Sequence, residues 1–517
     1  MSVNRQLRAR RSSTQFHALA GVEREIRSND RNGSRQYLRN FTQAFRSYEQ
    51  VITTDQLHEA LAVADVVLIG DYHALPACQH FAADLLERRA QPGDRPVILG
   101  LETIFSRDQH ILDAWWRREI GERELRRRIR FELDWGYHWD PFYQLLVTAR
   151  DHGEAIYGLD CMPREDLRKI RARDRHATHK IGEIRRRHPE AAIVVLFGES
   201  HLAPAHLPQL LRQCLPGERV VTVLQNVDAL YWRAAGESHS HVDAVQVSDD
   251  VLCAFNTTPL EKYESYRLCL ARWRRDGKRL DAAPTIYNLI EALVRTLGIH
   301  RYSPHNGTQP KFLVDSLPEV HSVQLDSGFS SGNGGRDAFQ RGLQREISDT
   351  REVDLLLQQL DERGSAYVPH LNMFYVREFR MTYAAEEAAR FLHHACRGLP
   401  HKNALIPTYA PADRYFTSLL EDALGYLGSR LLCPQRPASG VTSNDLSQLM
   451  EQGSRRVPNA GKTYHSISRE PGYALGNRLY EKYLGASLNP ASIRKLLLAD
   501  LSKPGAAKQI CRQLASD

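Results

Sequence analysis

Val66-Val67-Leu68-Ile69, followed at once by Gly70-Asp71-Tyr72-His73, is the stretch that decides the fold. Four consecutive apolar residues, three of them β-branched, read as a strand buried on both faces, the form that strands of a parallel sheet take. The pattern recurs along the chain. Val97-Ile98-Leu99 runs into Gly100-Leu101-Glu102, and Ala155-Ile156-Tyr157 into Gly158-Leu159-Asp160. Ile193 to Phe197 runs into Gly198-Glu199-Ser200-His201, and Val220 to Leu224 forms a fifth run. Amphipathic patterns over 76–90, 106–130 and 164–188 lie between them. This alternation predicts an α/β domain over 46–257, a mostly parallel sheet flanked by helices.

In such a sheet the carboxyl ends of the strands share one edge, and ligands bind in the crevice outside it. Each apolar run here delivers an acid or a histidine just past its end. The candidate site is therefore Asp71, His73, Glu102 and His201. Imidazoles and carboxylates together can hold a divalent ion, or can activate water with one group as base and another orienting it. The glycines before these residues are read as sharp turns that let a ligand approach. His80, seven residues after His73, lies in the next helical pattern and reads equally as a ligand or as helix surface. Asp160 reads as a cap-like residue ahead of Pro163. Trp135, Tyr137, Trp139, Phe142 and Tyr143 read as core packing, with a cofactor-stacking wall as the alternative. His393 and His394 read as helix surface.

Bulk properties set limits on function. The 517 residues are 42% hydrophobic and 25% charged, a globular balance with room for more than one core. A net charge of +7 over that length gives no argument for nucleic acid, and no nucleic-acid-binding signature is present. Arg126 to Arg128 and Arg185 to Arg187 read as solvated helix faces. Eight irregularly spaced cysteines with no CxxC pair predict free thiols, not a disulfide framework or a structural zinc site. The basic N-terminus has no apolar segment after it, and no stretch approaches 18 apolar residues. The expectation is a cytoplasmic protein without a membrane span.

Residues 1–45 are expected to be a polar, loosely ordered lead. Residues 258–517 are expected to be mainly helical, with a Gly/Ser-rich loop near 320–345 and a second irregular stretch over 433–462. This helical C-terminal region carries no assigned motif and is the expected surface for a protein partner.

At the strand-end residues the sequence resembles the haem-binding, iron-regulated ChaN-like proteins, within the superfamily that also holds erythromycin esterases and the TraB/Tiki proteins. Gly70-Asp71-Tyr72-His73 and His80 match the family's opening Gly-Glu-x-His and its further histidine. Gly100-Leu101-Glu102 matches its Gly-Met-Glu, with Phe105, Gln109 and Leu112 in the helix that follows. Trp135, Tyr137 and Trp139-Asp140-Pro141 match its Trp and Tyr-x-Pro-like stretch. Arg173-Asp174-Arg175-His176 matches its Arg-Asp helix, and Gly198-Glu199-Ser200-His201 its Gly-x-x-His. The resemblance covers about residues 55–235. It departs where Asp71 stands for the usual Glu, and in the absence of the signal and lipobox of the family's exported members.

The resemblance implies haem or iron bound at the strand-end crevice. His73, His80, Tyr72, Tyr137 and Arg173 are the candidate haem contacts, the tyrosines because a tyrosine contacts haem in the family. The alternative is a hydrolase of the esterase or metallopeptidase branch. In it His73 or His201 activates water and Glu102 and Asp71 orient it, with or without iron, zinc or manganese held by Asp71, His73, Glu102 and His201. A third reading is a non-catalytic scaffold for a partner.

Overall fold

The computed structural model describes residues 3–29, 36–91, 95–162, 170–237, 242–274, 281–299, 317–323, 334–347, 349–397, 411–438, 440, 443–455 and 464–516. The chain divides into two compact units, Ile26–Arg274 and a second made of Met1–Glu25 with Arg275–Asp517. Among the described residues no helix is long and apolar enough to cross a membrane.

Among the described residues the first unit has eight strands: β1 (Gln50–Ile52), β2 (Val66–Asp71), β3 (Val97–Phe105), β4 (Ala155–Asp160), β5 (Ala192–Gly198), β6 (Val220–Gln225), β7 (Ala244–Ser248) and β8 (Val251–Ala254). Their order in the sheet is β1-β7-β8-β6-β2-β5-β3-β4. The six from β8 to β4 are parallel, while β7 runs antiparallel to both of its neighbours. The fold class read from the sequence is the one observed. The antiparallel edge is an addition that the apolar runs did not announce.

Alternate residues of each strand feed two cores. Val67, Ile69, Leu99, Val194 and Leu196 pack with residues of helices Thr54–Ala62, Pro76–Arg89, Gln109–Trp116 and Trp139–His152. Val66, Leu68, Ile98, Ile193, Val195 and Phe197 pack with helices Ile170–Arg187, Leu207–Cys214 and Asp228–Glu237. Each such side chain stabilises the unit by about 1.5–3 kcal/mol on burial. This sorting positions the site. The chain leaves β2 and β3 toward helices of the first core, and leaves β5, which lies between them, toward helices of the second. Connections that part on opposite faces open a crevice at the carboxyl ends of these adjacent strands.

Among the described residues from 281 on, the second unit holds nine helices: Ala283–Thr296, Gly334–Glu346, Thr350–Arg363, Met381–Cys396, Pro411–Leu432, Ser443–Arg455, Tyr464–Leu484, Pro490–Leu497 and Ala506–Ser516. It is not purely helical. β9 (Glu319–Ser322), β10 (Ser365–Val368) and β11 (Met373–Val376) form a small sheet in the order β10-β11-β9. Of the loop expected near 320–345, residues 324–333 lie outside the described residues, and Gly334–Glu346 is a helix. Ser443–Arg455 is likewise a helix inside the stretch read as irregular. Residues Val3–Asn29 and Gln36–Ala44 of the N-terminal segment are helical. Arg185, read as part of a solvated face, is buried because it reaches the carbonyls of Asp65 and Ala191 at the sheet edge. His393 is fully buried, not on a surface, because its helix is enclosed on more than one side.

Candidate functional site

The register brings the strand ends level. Asp71 of β2 pairs with Gly198 of β5, and Leu101 of β3 with Leu196 of β5. Glu102 therefore reaches across to β5, where its Oε2 accepts the Gly198 N–H at 2.5 Å. A Cβ on Gly198 would lie 3.0 Å from Glu102 Oε2 and 3.2 Å from His73 Nε2. Glycine is present there to admit both side chains. None of the glycines at positions 70, 100, 158 and 198 has a positive φ, so the sharp turns expected of them are absent. They lie inside the strands. At Gly158 an added Cβ would meet the carbonyl oxygens of Ile104 and Phe105, both at 2.8 Å.

The four strand-end residues come together around Glu102. His73 places Nε2 at 3.7 Å from Glu102 Oε2, and His201 places its Nε2 at 3.7 Å from Oε1. Each imidazole is anchored on its other nitrogen: His73 Nδ1 to Asp71 Oδ2 at 2.7 Å, and His201 Nδ1 to Asp174 Oδ1 at 2.5 Å. A carboxylate can only accept, so Nδ1 is the nitrogen that donates and Nε2 is the one that faces Glu102. Asp174 also accepts from His206 Nδ1 at 2.9 Å. Asp71 accepts from Gln79 as well. Helix Pro76–Arg89 thus turns Gln79 to the site and leaves the adjacent His80 exposed.

Arg173 is the cation of the cluster. It donates to both oxygens of Asp160, Nε at 2.8 Å and Nη2 at 2.9 Å, and to Glu102. Asp160 is the fully buried partner of Arg173; residues 163–169, where the expected cap would act, lie outside the described residues. Burial weakens the Arg173 charge, but Glu102 and Asp160 outweigh it and hold the guanidinium protonated. Burial raises the Asp71 carboxyl above its ordinary value, against the pull of His73 and Gln79. Burial acts in the same sense on Asp174, where the hydrogen bonds from His201 and His206 win and lower it.

The candidate tyrosines stand apart from this network. Tyr72 lies beneath Lys262, whose Nζ is 4.7 Å from the ring centre. Lys262 is itself paired with Glu199 at 3.1 Å. Tyr137 packs on His73 at 5.3 Å between ring centres, and Trp135 does so at 4.3 Å. Burial raises both phenols, that of Tyr72 further through Tyr263, Glu199 and Asp228. Trp135, Trp139 and Phe142 are core, as read, with Tyr137 and Tyr143 packed against them, and Trp135 and Tyr137 also pack beside His73.

Among the described residues, no group of three or more His, Cys, Asp and Glu side chains is arranged to hold a metal ion. The four expected in that role point mainly into hydrogen bonds with one another's neighbours. Sequence reasoning missed Gln79, His206, Glu199 and Lys262. His206, five residues after His201, is the one with a visible signal, a second histidine in the same strand-end loop.

Fold and site together define a parallel α/β unit with a polar, imidazole-bearing crevice at the carboxyl ends of its central strands. Residues 57–193 match a family described as haem-binding uptake, Tiki superfamily, ChaN. The resemblance to the ChaN-like family thus holds over the segment that carries Asp71, His73, Glu102, Asp160, Arg173 and Asp174, while His201 and His206 follow it. A solved structure described as cofacial heme binding to ChaN of Campylobacter jejuni is similar at 18% identity, over 39% of this chain and 91% of that one, with a TM-score of 0.27. No curated protein matches the chain.

Proposed function

We propose that the crevice at the ends of β2, β3 and β5 binds haem, with His73 offering Nε2 to the iron. One observation carries this reading. Within the cluster the His73 side chain is 20% exposed, against 2–4% for Asp71, Glu102 and His201. The residues fit the group. Asp71 orients the imidazole and raises its basicity as a ligand through Nδ1. Trp135 and Tyr137 provide ring faces of the kind a planar macrocycle packs against. The raised phenols of Tyr72 and Tyr137 resist the ionisation that a tyrosinate ligand needs, which favours His73. Haem, if bound, would supply an iron centre, and His73 would be the residue that holds it. His80 is exposed, and Arg173 is committed to internal carboxylates, so neither is assigned a contact.

Water activation receives less support. Both oxygens of Glu102 already accept hydrogen bonds, from Arg173 and Gly198, and His201 is buried. All eight cysteines are free, which suits a reducing compartment such as the cytoplasm.

Haemin titrated into the protein and followed by absorbance should give a saturable Soret shift at one equivalent. The shift should be lost in His73→Ala and kept in Tyr137→Phe. A shift of equal size and affinity in His73→Ala would sink the assignment.

A further inference from the structure

The helical unit contains a cavity of about 570 Å³ with no counterpart in the crevice chemistry. That volume lies within the range of small-molecule sites, about 300–1,000 Å³. Its walls include Tyr383, Tyr426 and Tyr473, with Arg436 and Arg469 as the cations and Glu470 at the exposed rim. The tyrosines come from three different helices, Met381–Cys396, Pro411–Leu432 and Tyr464–Leu484.

Arg436 is 8% exposed and enclosed by these rings, its guanidinium carbon 4.2 Å from the centre of Tyr426, 4.8 Å from Tyr473 and 5.8 Å from Tyr383. It meets Glu386 at 2.8 Å, but it does not have that carboxylate to itself. Arg363 donates to Glu386 at 2.9 Å, and the Tyr473 hydroxyl donates at 2.8 and 3.0 Å. With Arg390 at 3.6 Å, three guanidiniums thus share one carboxylate beside the cavity. On the wall, the Nε of Arg469 is buried and takes no acceptor, and its Nη1 comes only within 3.8 Å of Glu362.

A network that served only to lock helices together would not need a cavity that brings two guanidiniums and three tyrosine rings to one wall. Unanswered buried donors are costly, and a guanidinium fork matches an oxyanion. Aromatic faces accept a flat ring. We propose that this cavity is a binding site for a small aryl oxyanion, its charged end on Arg469 and Arg436 and its ring along the tyrosine faces.

The test uses phenyl phosphate titrated into the full-length protein by calorimetry, with benzyl alcohol as the uncharged ring. Two variants at the solvent-facing rim probe the site without touching the Glu386 network: Arg469→Gln, and Ala438→Trp, which fills the cavity from an exposed position. Thermal unfolding verifies that both are folded. The expected result is saturable one-to-one binding, weakened about tenfold or more by Arg469→Gln, lost in Ala438→Trp and unchanged in His73→Ala. Benzyl alcohol should bind at least about tenfold more weakly than phenyl phosphate. Failure of the wild type to saturate, equal affinity in either rim variant, or equal affinity for the alcohol would overturn the proposal.

Discussion

Glu102 in the α/β unit and Glu386 in the helical unit are both buried carboxylates held by arginine, yet one guanidinium reaches the first and three reach the second. Around Glu102 stand three more carboxylates, Asp71, Asp160 and Asp174, and one guanidinium, Arg173. The surplus acceptors are turned on imidazoles, and the network leads outward to His73. Around Glu386 stand Arg363, Arg390 and Arg436, and Arg390 also faces Asp422, Glu387 and Glu421. Here three guanidiniums converge on Glu386 itself, and the network leads to a cavity walled by tyrosine. Burial of charge alone marks neither place as functional. What distinguishes them is which kind of group is left over once the internal pairs are made, an oriented base in one and an oxyanion donor in the other.

The largest expected effect breaks that comparison at its cations. Arg173→Met leaves Glu102 and Asp160 buried without a counter-charge and should destabilise the α/β unit by about 3–5 kcal/mol in urea unfolding. Arg436→Met leaves Glu386 still held by Arg363 and Tyr473, so its loss should stay nearer about 1–3 kcal/mol. Equal losses in the two variants would refute the shared-carboxylate argument. Next in size is Gly198→Ala, which forces a methyl against Glu102 and His73, both pinned by hydrogen bonds. A loss of about 1–3 kcal/mol is expected, and a neutral result would mean that the crevice is looser than its geometry.

A pH dependence sharpens the helical side. Burial drives the Glu386 carboxyl up, but Arg436, Arg363, Arg390 and Tyr473 overcome this and bring it down to about 2. Glu387, raised to about 7 by burial and by Glu386 against the pull of Arg390, behaves oppositely. A raised carboxyl holds its proton in the folded state after the unfolded chain has released one. Its contribution is complete below the ordinary value of 4.5 and declines as pH rises through about 7. Glu386 contributes above 4.5, and its share falls away as pH drops toward about 2. Stability of this unit should fall between pH 4.5 and 7, and Glu387→Gln should flatten that slope. An unchanged slope in the variant would remove Glu387 as its cause. The smallest stability effect is expected for His73→Ala, under about 1 kcal/mol, since its ring is partly exposed. A much larger loss would make His73 a structural residue.

Much of the α/β unit was legible because its strands are unbroken apolar runs, so Val66 to Ile69 or Ile193 to Phe197 could be read directly. Their register then placed Asp71, Glu102 and His201 on one edge. The antiparallel pair β7 and β8 was not legible, because Ala244-Val245-Gln246-Val247-Ser248 mixes polar residues into a short edge strand. The anchor Gln79 and the buried Lys262 were invisible for another reason. Helical periodicity says which face is apolar, not which polar residue that face presents to a strand end. His393 failed similarly, since a helix enclosed on several sides buries positions that an amphipathic pattern assigns to water. The tyrosine-walled cavity depends on three helices meeting, and no single stretch of sequence contains it.

The most direct test of the central claim is chemical rescue of the proposed axial ligand. His73→Gly removes the imidazole and leaves Asp71, Trp135 and Tyr137 in place. Haemin is titrated into this variant with and without free imidazole, and the Soret band is followed. The account predicts no saturable shift without imidazole and recovery of the wild-type band with it, reduced when Asp71→Asn is added. A wild-type band in His73→Gly without imidazole would contradict it and move the ligand to another residue.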